Sequence, residues 1–576
     1  MWFPVGVILA ASAVAAAQPP DAYFHWFEYS GQDRVFDTPL PPGSYRNPVL
    51  AGFYPDPSVT RVGDRFYLVN STFTYFPGIP VLESRDLVHW RPLGSVIDRP
   101  GELNFDGLGV SRGIFAPAIR FHDGFFYVVS TSVDAGGNFL SVARDPAGPW
   151  SDPIWLPQMD GIDPTLFFDT DGKAYLLNNG PPVGPPQYAG HRAIWIQELD
   201  LAARKLVGPR KVLINGGVDF AKKPVWIEGP RMYRHDGWYI LMCAEGGTSV
   251  QHSEVVLRAR SPLGPFQPYA GNPILTQRDL PADRADPIIN AGHADLVEGP
   301  DGHWWAIFLA SRPYESVHYN TGRETYLLPV TWRDGWPVIL ARGKGIPYIA
   351  TAPAVPVAHD EDRSAAPTAT LIPTPTTGNV TWHDDFAWHS LRPEWLQVRV
   401  PKQPWADLSS RPGWLTIHPL PASLDALTNP SFLAHRQQHL VFDASAELET
   451  PTRAGVATGL AAFQSENAWY FLGVRRGTTP SAEHSPHLEL FLEKRGGART
   501  GTIGHAELPD TPHLKLKISG NAREYSFYFD ADGSGWKPLK EGDDGSILST
   551  DVAGGFVGTV VGPYARSEPT SGNSKL

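Results

Sequence analysis

The 576 residues carry 60 Asp and Glu against 48 Lys and Arg, a net charge of −12, with 42% hydrophobic and 12% aromatic side chains. That length exceeds one ordinary core and points to two or more domains, while an acidic balance without a basic stripe argues against nucleic acid as a partner. The one cysteine, Cys243, excludes an intramolecular disulfide and any paired-cysteine metal site, and its apolar neighbours read as core.

Residues 1–17 form an apolar, Ala-rich run before Gln18, the pattern of a secretory leader cleaved near Ala17, though without the usual Lys/Arg start. The competing reading is an accidental apolar leader. The run is too short to span a membrane and no later segment qualifies. The expectation is an exported protein, periplasmic or extracellular, with no membrane span. The oligomeric state is not legible.

Beyond about residue 40 a repeat dominates. Gly63-Asp64, Asp123-Gly124, Asp171-Gly172, Asp236-Gly237 and Asp301-Gly302 each lead into a strand-like apolar run, at intervals of roughly 50–65 residues. A second phrase recurs as Ser84-Arg85-Asp86, Ala143-Arg144-Asp145 and Ala259-Arg260-Ser261, read as a blade's outer strand and the turn after it. Five turn copies imply a five-bladed β-propeller over residues 40–350. Residues 351–378, rich in Pro, Ala and Thr, read as a linker. Residues 379–566 alternate apolar and polar side chains, as in Leu514-Lys515-Leu516-Lys517-Ile518, the pattern of an antiparallel β-sandwich. Residues 567–576 are a polar tail. The expected class is all-β, a propeller followed by a concanavalin-like sandwich.

Three acidic islands stand in the propeller: Tyr54-Pro55-Asp56-Pro57-Ser58, Gly161-Ile162-Asp163-Pro164-Thr165 and Trp226-Ile227-Glu228-Gly229-Pro230. Each sets one carboxylate among apolar residues, Gly and Pro, where charge is costly unless used. A propeller brings successive inner strands to one axis, so the three can converge. Acetal hydrolysis needs one protonated and one ionised carboxyl, and a third carboxylate raises the acid's pKa. Glu228, with its longer reach and apolar neighbour Trp226, suits the acid, and Asp56 the base. Taken singly, Asp56 and Asp163 also read as turn formers and Glu228 as a partner of Arg231.

The stretch from Arg46 to Ser58 closely resembles the opening of glycoside hydrolase family 43, and Ser71 to Gly78 resembles its β-xylosidase branch. Phe115-Ala116-Pro117, Gly161 to Phe167, Ile227 to Tyr233, Ala244 to Thr248, Gly292 to Asp295 and Gly322 to Thr325 continue the likeness in order. The C-terminal unit resembles that branch's sandwich as far as Gly555-Phe556-Val557-Gly558. The resemblance implies a five-bladed, inverting hydrolase with Asp56 as general base, Asp163 as pKa modulator and Glu228 as general acid. It implies sugar contacts for Arg323, Thr248, Phe73, Phe115 and Phe556. The competing readings are a surface ion pair with Glu324 for Arg323 and core positions for the three Phe. The resemblance also implies that His293 lies in the central channel near water or a calcium ion, against an ordinary core histidine. Calcium prefers oxygen ligands, so the His would act through water. Hydrolysis itself requires no cofactor.

The expected substrate is a xylo-oligosaccharide cleaved at its terminal β-1,4-linked xylose. The competing activity is α-L-arabinofuranosidase on an arabinose-containing glycan, alone or in the same pocket. A non-catalytic carbohydrate-binding propeller predicts the loss of an acid island, and all three are present. A fructan-cleaving propeller predicts an Asn-Asp-Pro start and a Glu-Cys pair, which are missing. The Pro/Gly-rich stretch 178–187 departs from familiar β-xylosidases and reads as a rim loop that sets which pentose or linkage is accepted.

Overall fold

A computed structural model of the chain describes residues 19–354, 375–477 and 487–569. The leader at 1–17, linker residues 355–374 and tail residues 570–576 lie outside the described residues. Nearly all regular structure is strand, and no helix among the described residues is long and apolar enough to cross a membrane.

Each Asp-Gly or Gly-Asp turn joins the first and second strands of one blade. Asp123 and Gly124 (φ +46° and +77°) adopt the left-handed backbone that a tight hairpin demands. Blade one comprises Ser58–Val62, Arg65–Val69, Gly78–Ser84 and Arg91–Ile97. Blade two is built on Ala118–His122, Phe125–Val133, Gly137–Ala143 and Ile154–Trp155, and blade three on Ile162–Phe168, Ala174–Gly180, Ala193–Asp200 and Lys205–Asn215. Blade four contains Glu228–His235, Trp238–Glu245, Ser253–Ala259 and Gln267–Pro268, and blade five Ile289–Glu298, Trp304–Ser311 and Glu324–Pro329. The second repeated phrase therefore closes the third strand of blades one, two and four, not the outer one: a further strand follows it on the rim. The ring closes where the Val49 N–H donates to the Thr325 carbonyl (2.9 Å) and Leu50 bridges Thr325, so the segment before blade one edges blade five.

Around the axis the blades are joined by one buried carboxylate. Asp295 of blade five accepts hydrogen bonds from Ser58 Oγ of blade one (2.6 Å), from Arg120 Nη1 and Nη2 of blade two (2.9 and 3.1 Å) and from the Tyr233 hydroxyl of blade four (2.6 Å). Burial pushes this carboxyl up, but the Arg120 and Arg231 guanidinium groups outweigh it and hold it at about 2.

The sandwich is not a purely C-terminal unit. Its first sheet runs Ala406–Asp407, Leu415–Ile417, Ala22–Gly31, Val441–Glu449, His513–Asn521, Glu524–Asp530, Lys537–Asp544, with Val380–Asp384 also paired to Ala22–Gly31. Phe24, Phe27 and Tyr29 of that N-terminal strand are fully buried in the sandwich core. The second sheet runs Arg499–Pro509, His487–Gly496, Ala468–Arg476, Val456–Ser465, Val560–Ser567, Leu433–Arg436, Leu396–Val398, and ends on Tyr75–Phe76 of the propeller. Buried Arg312 of blade five adds a polar tie, donating to Glu324 (2.7 and 2.8 Å), Asp33 (2.5 Å) and the Gln438 carbonyl of the sandwich (2.8 Å).

Two outcomes follow from this architecture. Residues 379–569 expressed alone should form a loose state that binds a hydrophobic dye and lacks near-UV circular dichroism, and a peptide spanning 19–33 should restore both to native values. Asp295→Ala strands the guanidinium groups of Arg120 and Arg231 and should destabilise the propeller by about 3–5 kcal/mol, read from the midpoint of its urea transition.

Candidate active site

Each acid sits where an innermost strand begins. Asp56 precedes Ser58–Val62, Asp163 is the second residue of Ile162–Phe168, and Glu228 opens Glu228–His235. The inner strands of blades three, four and five are irregular at these ends, with register shifts between Ile162 and Thr165, Glu228 and Arg231, and Ile289 and Gly292. Such bulges re-aim side chains beside functional sites. Asp56, Asp163 and His293 hold positive φ of 52°, 55° and 53°, conformations that cost a non-glycine residue about 1–3 kcal/mol each and persist only where the surroundings enforce them. Gly229 (φ +55°) is needed because a Cβ there would stand 2.7 Å from Nε2 of His293.

Asp56, Asp163 and Glu228 line one cavity of about 230 Å³. All three are buried, at 5%, 3% and 8% exposure. Arg323 lies among them, donating from Nη1 to Asp56 Oδ1 (2.7 Å). It does not pair with Glu324, whose carboxylate is taken by Arg312. Arg231 likewise faces Asp295, with Nε 3.5 Å from Oδ2, and leaves Glu228 to the cavity.

These neighbours separate the acids chemically. Burial tends to raise Asp56, but the Arg323 guanidinium and the Ser71 hydroxyl hold its carboxyl below the ordinary value. Glu228 is pushed well above the carboxylate range by burial, and then by the charges of Asp163 and Asp56; Arg323 and Arg192 only partly oppose this. Asp163, which accepts the Gly229 N–H (3.2 Å), is raised by burial and by Asp56. The cavity thus holds an ionised carboxylate facing a protonated acid, with a third carboxyl that keeps the proton on Glu228.

The walls are aromatic and come from both domains. Phe73 stacks on Phe556 (centroids 5.9 Å apart) and meets Phe115 edge-on at 5.3 Å. Phe73 is at once sandwich-side core, 1% exposed, and cavity wall. Phe556 belongs to the sandwich, its N–H donating to Ser111 Oγ (2.9 Å) and its carbonyl accepting from Arg323 Nη2 (3.3 Å). The close approach needs glycines: a Cβ on Gly322 (φ +74°) would stand 2.8 Å from Gly558. Thr248 lines the mouth, and His293 the floor, with Nδ1 3.8 Å from Asp56 Oδ1.

The profile described as "Glycosyl hydrolases family 43" matches residues 45–337, and that of the "Beta xylosidase C-terminal Concanavalin A-like domain" matches residues 383–575. The chain belongs to glycosyl hydrolase family 43. Among curated family members, it is 37% identical to a Xylosidase/arabinosidase of Butyrivibrio fibrisolvens, over 90% of this chain and 95% of that one. It is 33% identical to a non-reducing end alpha-L-arabinofuranosidase of Bacteroides ovatus, over 91% of each. The crystal structure of a GH43_12 protein retrieved from capybara gut metagenome superposes with a TM-score of 0.85 at 37% identity, covering 95% of this chain and 100% of that one. A xylan beta-1,4-xylosidase from Bacillus halodurans gives 0.79 at 32% identity, covering 92% and 98%. The protein is accordingly a glycoside hydrolase.

Family 43 membership leaves the details of this cavity to its own residues. Burial lowers His293 to about 3 and His252 to about 4, so both imidazoles are neutral. Nε2 of His293 is buried without a protein hydrogen-bond partner, and suits a water molecule, whether free or in the shell of a cation. Among the described residues no group of three or more His, Cys, Asp or Glu is placed to cage a metal. Arg112, Ala116, Ile162, Trp226 and Gly247 also line the cavity. Sequence reasoning assigned none of them to it, although Trp226 stands inside the acid's own motif. Residues 178–187 do not line it; the stretch is pinned to blade three, through Trp195 Nε1 to the Pro181 carbonyl (2.8 Å) and the Val183 N–H to Asn215 Oδ1 (3.0 Å).

Removing the guanidinium in Arg323→Met should raise both acids. On the expectation that Asp56 acts as the ionised base and Glu228 as the protonated acid, the acidic limb of kcat/KM moves to higher pH and the basic limb moves up as well. A displacement of about 1–3 units on the acidic limb, with a lower maximum, is the expected pH–rate profile.

Proposed function

We propose that this family 43 hydrolase is an exported, exo-acting, inverting β-xylosidase that releases terminal xylose from β-1,4-xylo-oligosaccharides. The observation that carries the reading is the cavity in which ionised Asp56, raised Asp163 and protonated Glu228 surround Arg323. Its volume suits one monosaccharide rather than a chain running through, because Phe556 of the sandwich walls one side. The apolar leader read from the sequence supports export.

In this reading Glu228 gives its proton to the glycosidic oxygen as the anomeric C–O bond breaks. Asp56 takes a proton from the water whose oxygen bonds to the anomeric carbon on the opposite face. Asp163 keeps Glu228 protonated until that moment. Arg323 holds Asp56 and offers a hydroxyl of the bound sugar its second nitrogen. Phe73 and Phe115 form part of the apolar wall beside the ring. Where a hydrated calcium ion is bound, water on Nε2 of His293 would hold it, in a structural role.

A second reading, α-L-arabinofuranosidase activity in the same cavity, is favoured by the relatives whose names carry both activities or arabinofuranosidase alone. Parallel turnover of xylobiose and an aryl α-L-arabinofuranoside ranks the two, and turnover of the arabinoside alone overturns the first. Proton NMR during xylobiose hydrolysis should show α-xylose first; β-xylose first would refute inversion. Glu228→Gln should cut xylobiose turnover by about 10²–10⁴-fold while calorimetry shows binding retained.

A further inference from the structure

The cavity lining changes character between floor and mouth. Asp56, Asp163, Glu228, His293, Arg323 and Phe73 are buried, whereas Trp226, Ile162, Gly247, Thr248 and Arg112 are partly open. A glycosidic oxygen that receives a proton from Glu228 carries a second sugar on its far side, and that sugar must lie against open residues adjoining Glu228. Trp226 is two positions before Glu228 and lines the cavity. Phe115 and Phe556 are also partly open, but their rings are committed to the cluster with Phe73.

The setting of Trp226 is that of a fixed platform. Its backbone is held at φ +50°, a strained conformation that loops of two blades enforce. Its N–H donates to the Gly190 carbonyl (2.9 Å), and the preceding Val225 carbonyl accepts from the Gly246 N–H (2.8 Å). The Arg192 guanidinium covers the indole at 4.3 Å from the ring centroid, a cation–π contact that holds the ring in place. Gly190 is steadied in turn by the stacked pair Tyr188 and His191 (4.7 Å), with the Tyr188 hydroxyl donating to the Gly216 and Pro224 carbonyls (2.9 and 3.0 Å). The Pro/Gly-rich stretch before Tyr188 also adjoins the cavity through Asn179, which pairs with Ile162 and donates to the Ile227 carbonyl (2.6 Å) between Trp226 and Glu228.

We propose that Trp226, backed by Arg192, is the platform on which the leaving-group sugar rests, and so determines how well an oligosaccharide is cleaved relative to a substrate with nothing on that side. The proposal rests on the glycosidase reading of the cavity. A flat indole offers the apolar face of a pyranose ring contact area that strengthens binding on the leaving-group side, and that binding appears in kcat/KM. Its ligand class is a β-1,4-linked pentose unit.

The test compares xylobiose with β-D-xylosyl fluoride, whose leaving group is a single atom. Trp226→Ala should lower kcat/KM for xylobiose by roughly tenfold to a hundredfold, change the fluoride by less than about threefold, and leave competitive inhibition by free xylose unaltered. Trp226→Phe should recover most of the xylobiose rate, and melting curves should show both variants folded. Equal losses on the two substrates would mean that Trp226 merely supports Glu228, and would overturn the platform. A wild-type chain inactive on both xylosides but active on arabinosides would instead sink the xylosidase reading. The same ratio is then taken between an arabinofuranosyl disaccharide and its methyl glycoside, with equal losses again overturning the platform.

Discussion

The guanidinium of Arg323 makes it possible to bury three carboxyl groups in one hollow. Three unpaired negative charges buried together would be costly. Arg323 pairs with Asp56, 2.7 Å away, while burial and the charges of Asp163 and Asp56 leave Glu228 to hold the proton. The acids separate because Arg323 pairs with Asp56 and not with Glu228. The axis below works by the opposite rule: Asp295 is outnumbered by Arg120 and Arg231, stays ionised and ties blades together.

The sandwich is part of this arrangement. It supplies Phe556, whose carbonyl orients Arg323 from the side away from Asp56. It continues its second sheet into the propeller through Tyr75–Phe76, two residues after the wall residue Phe73. Its first sheet is threaded by Ala22–Gly31, so the chain starts in one domain, builds the other, and returns. Through Phe556 the sandwich walls one side of the cavity.

Much of the site was legible in the sequence because each acid stands beside Pro or Gly at the start of a strand, a setting in which a carboxylate is conspicuous. Asp56, Asp163, Glu228 and Arg323 all meet in the cavity, as do Phe73, Phe115, Thr248, His293 and Phe556. Arg112 was not legible, because an Arg paired with Asp134 on a turn looks like any surface ion pair. Arg192 and Gly190 were hidden for another reason: they act on Trp226 from a different blade. The stretch 178–187, conspicuous by composition, supplies no lining residue, although Asn179 adjoins the cavity by pairing with Ile162.

By itself the sequence determined what is local or periodic: five hairpins at regular spacing, the alternation of the sandwich strands, and the chemical type of the three acids. These survive any change of partner because turn geometry and period-two burial depend on neighbours a few residues apart. The tertiary structure alone decided which carboxyl is charged, which strands share a sheet and which rings close the cavity. Those depend on burial and on contacts between residues hundreds of positions apart, such as Asp56 with Arg323, Arg323 with Phe556, and Tyr29 with Ala444. Pairing and desolvation are properties of the packed molecule, and a pattern read along the chain does not contain them.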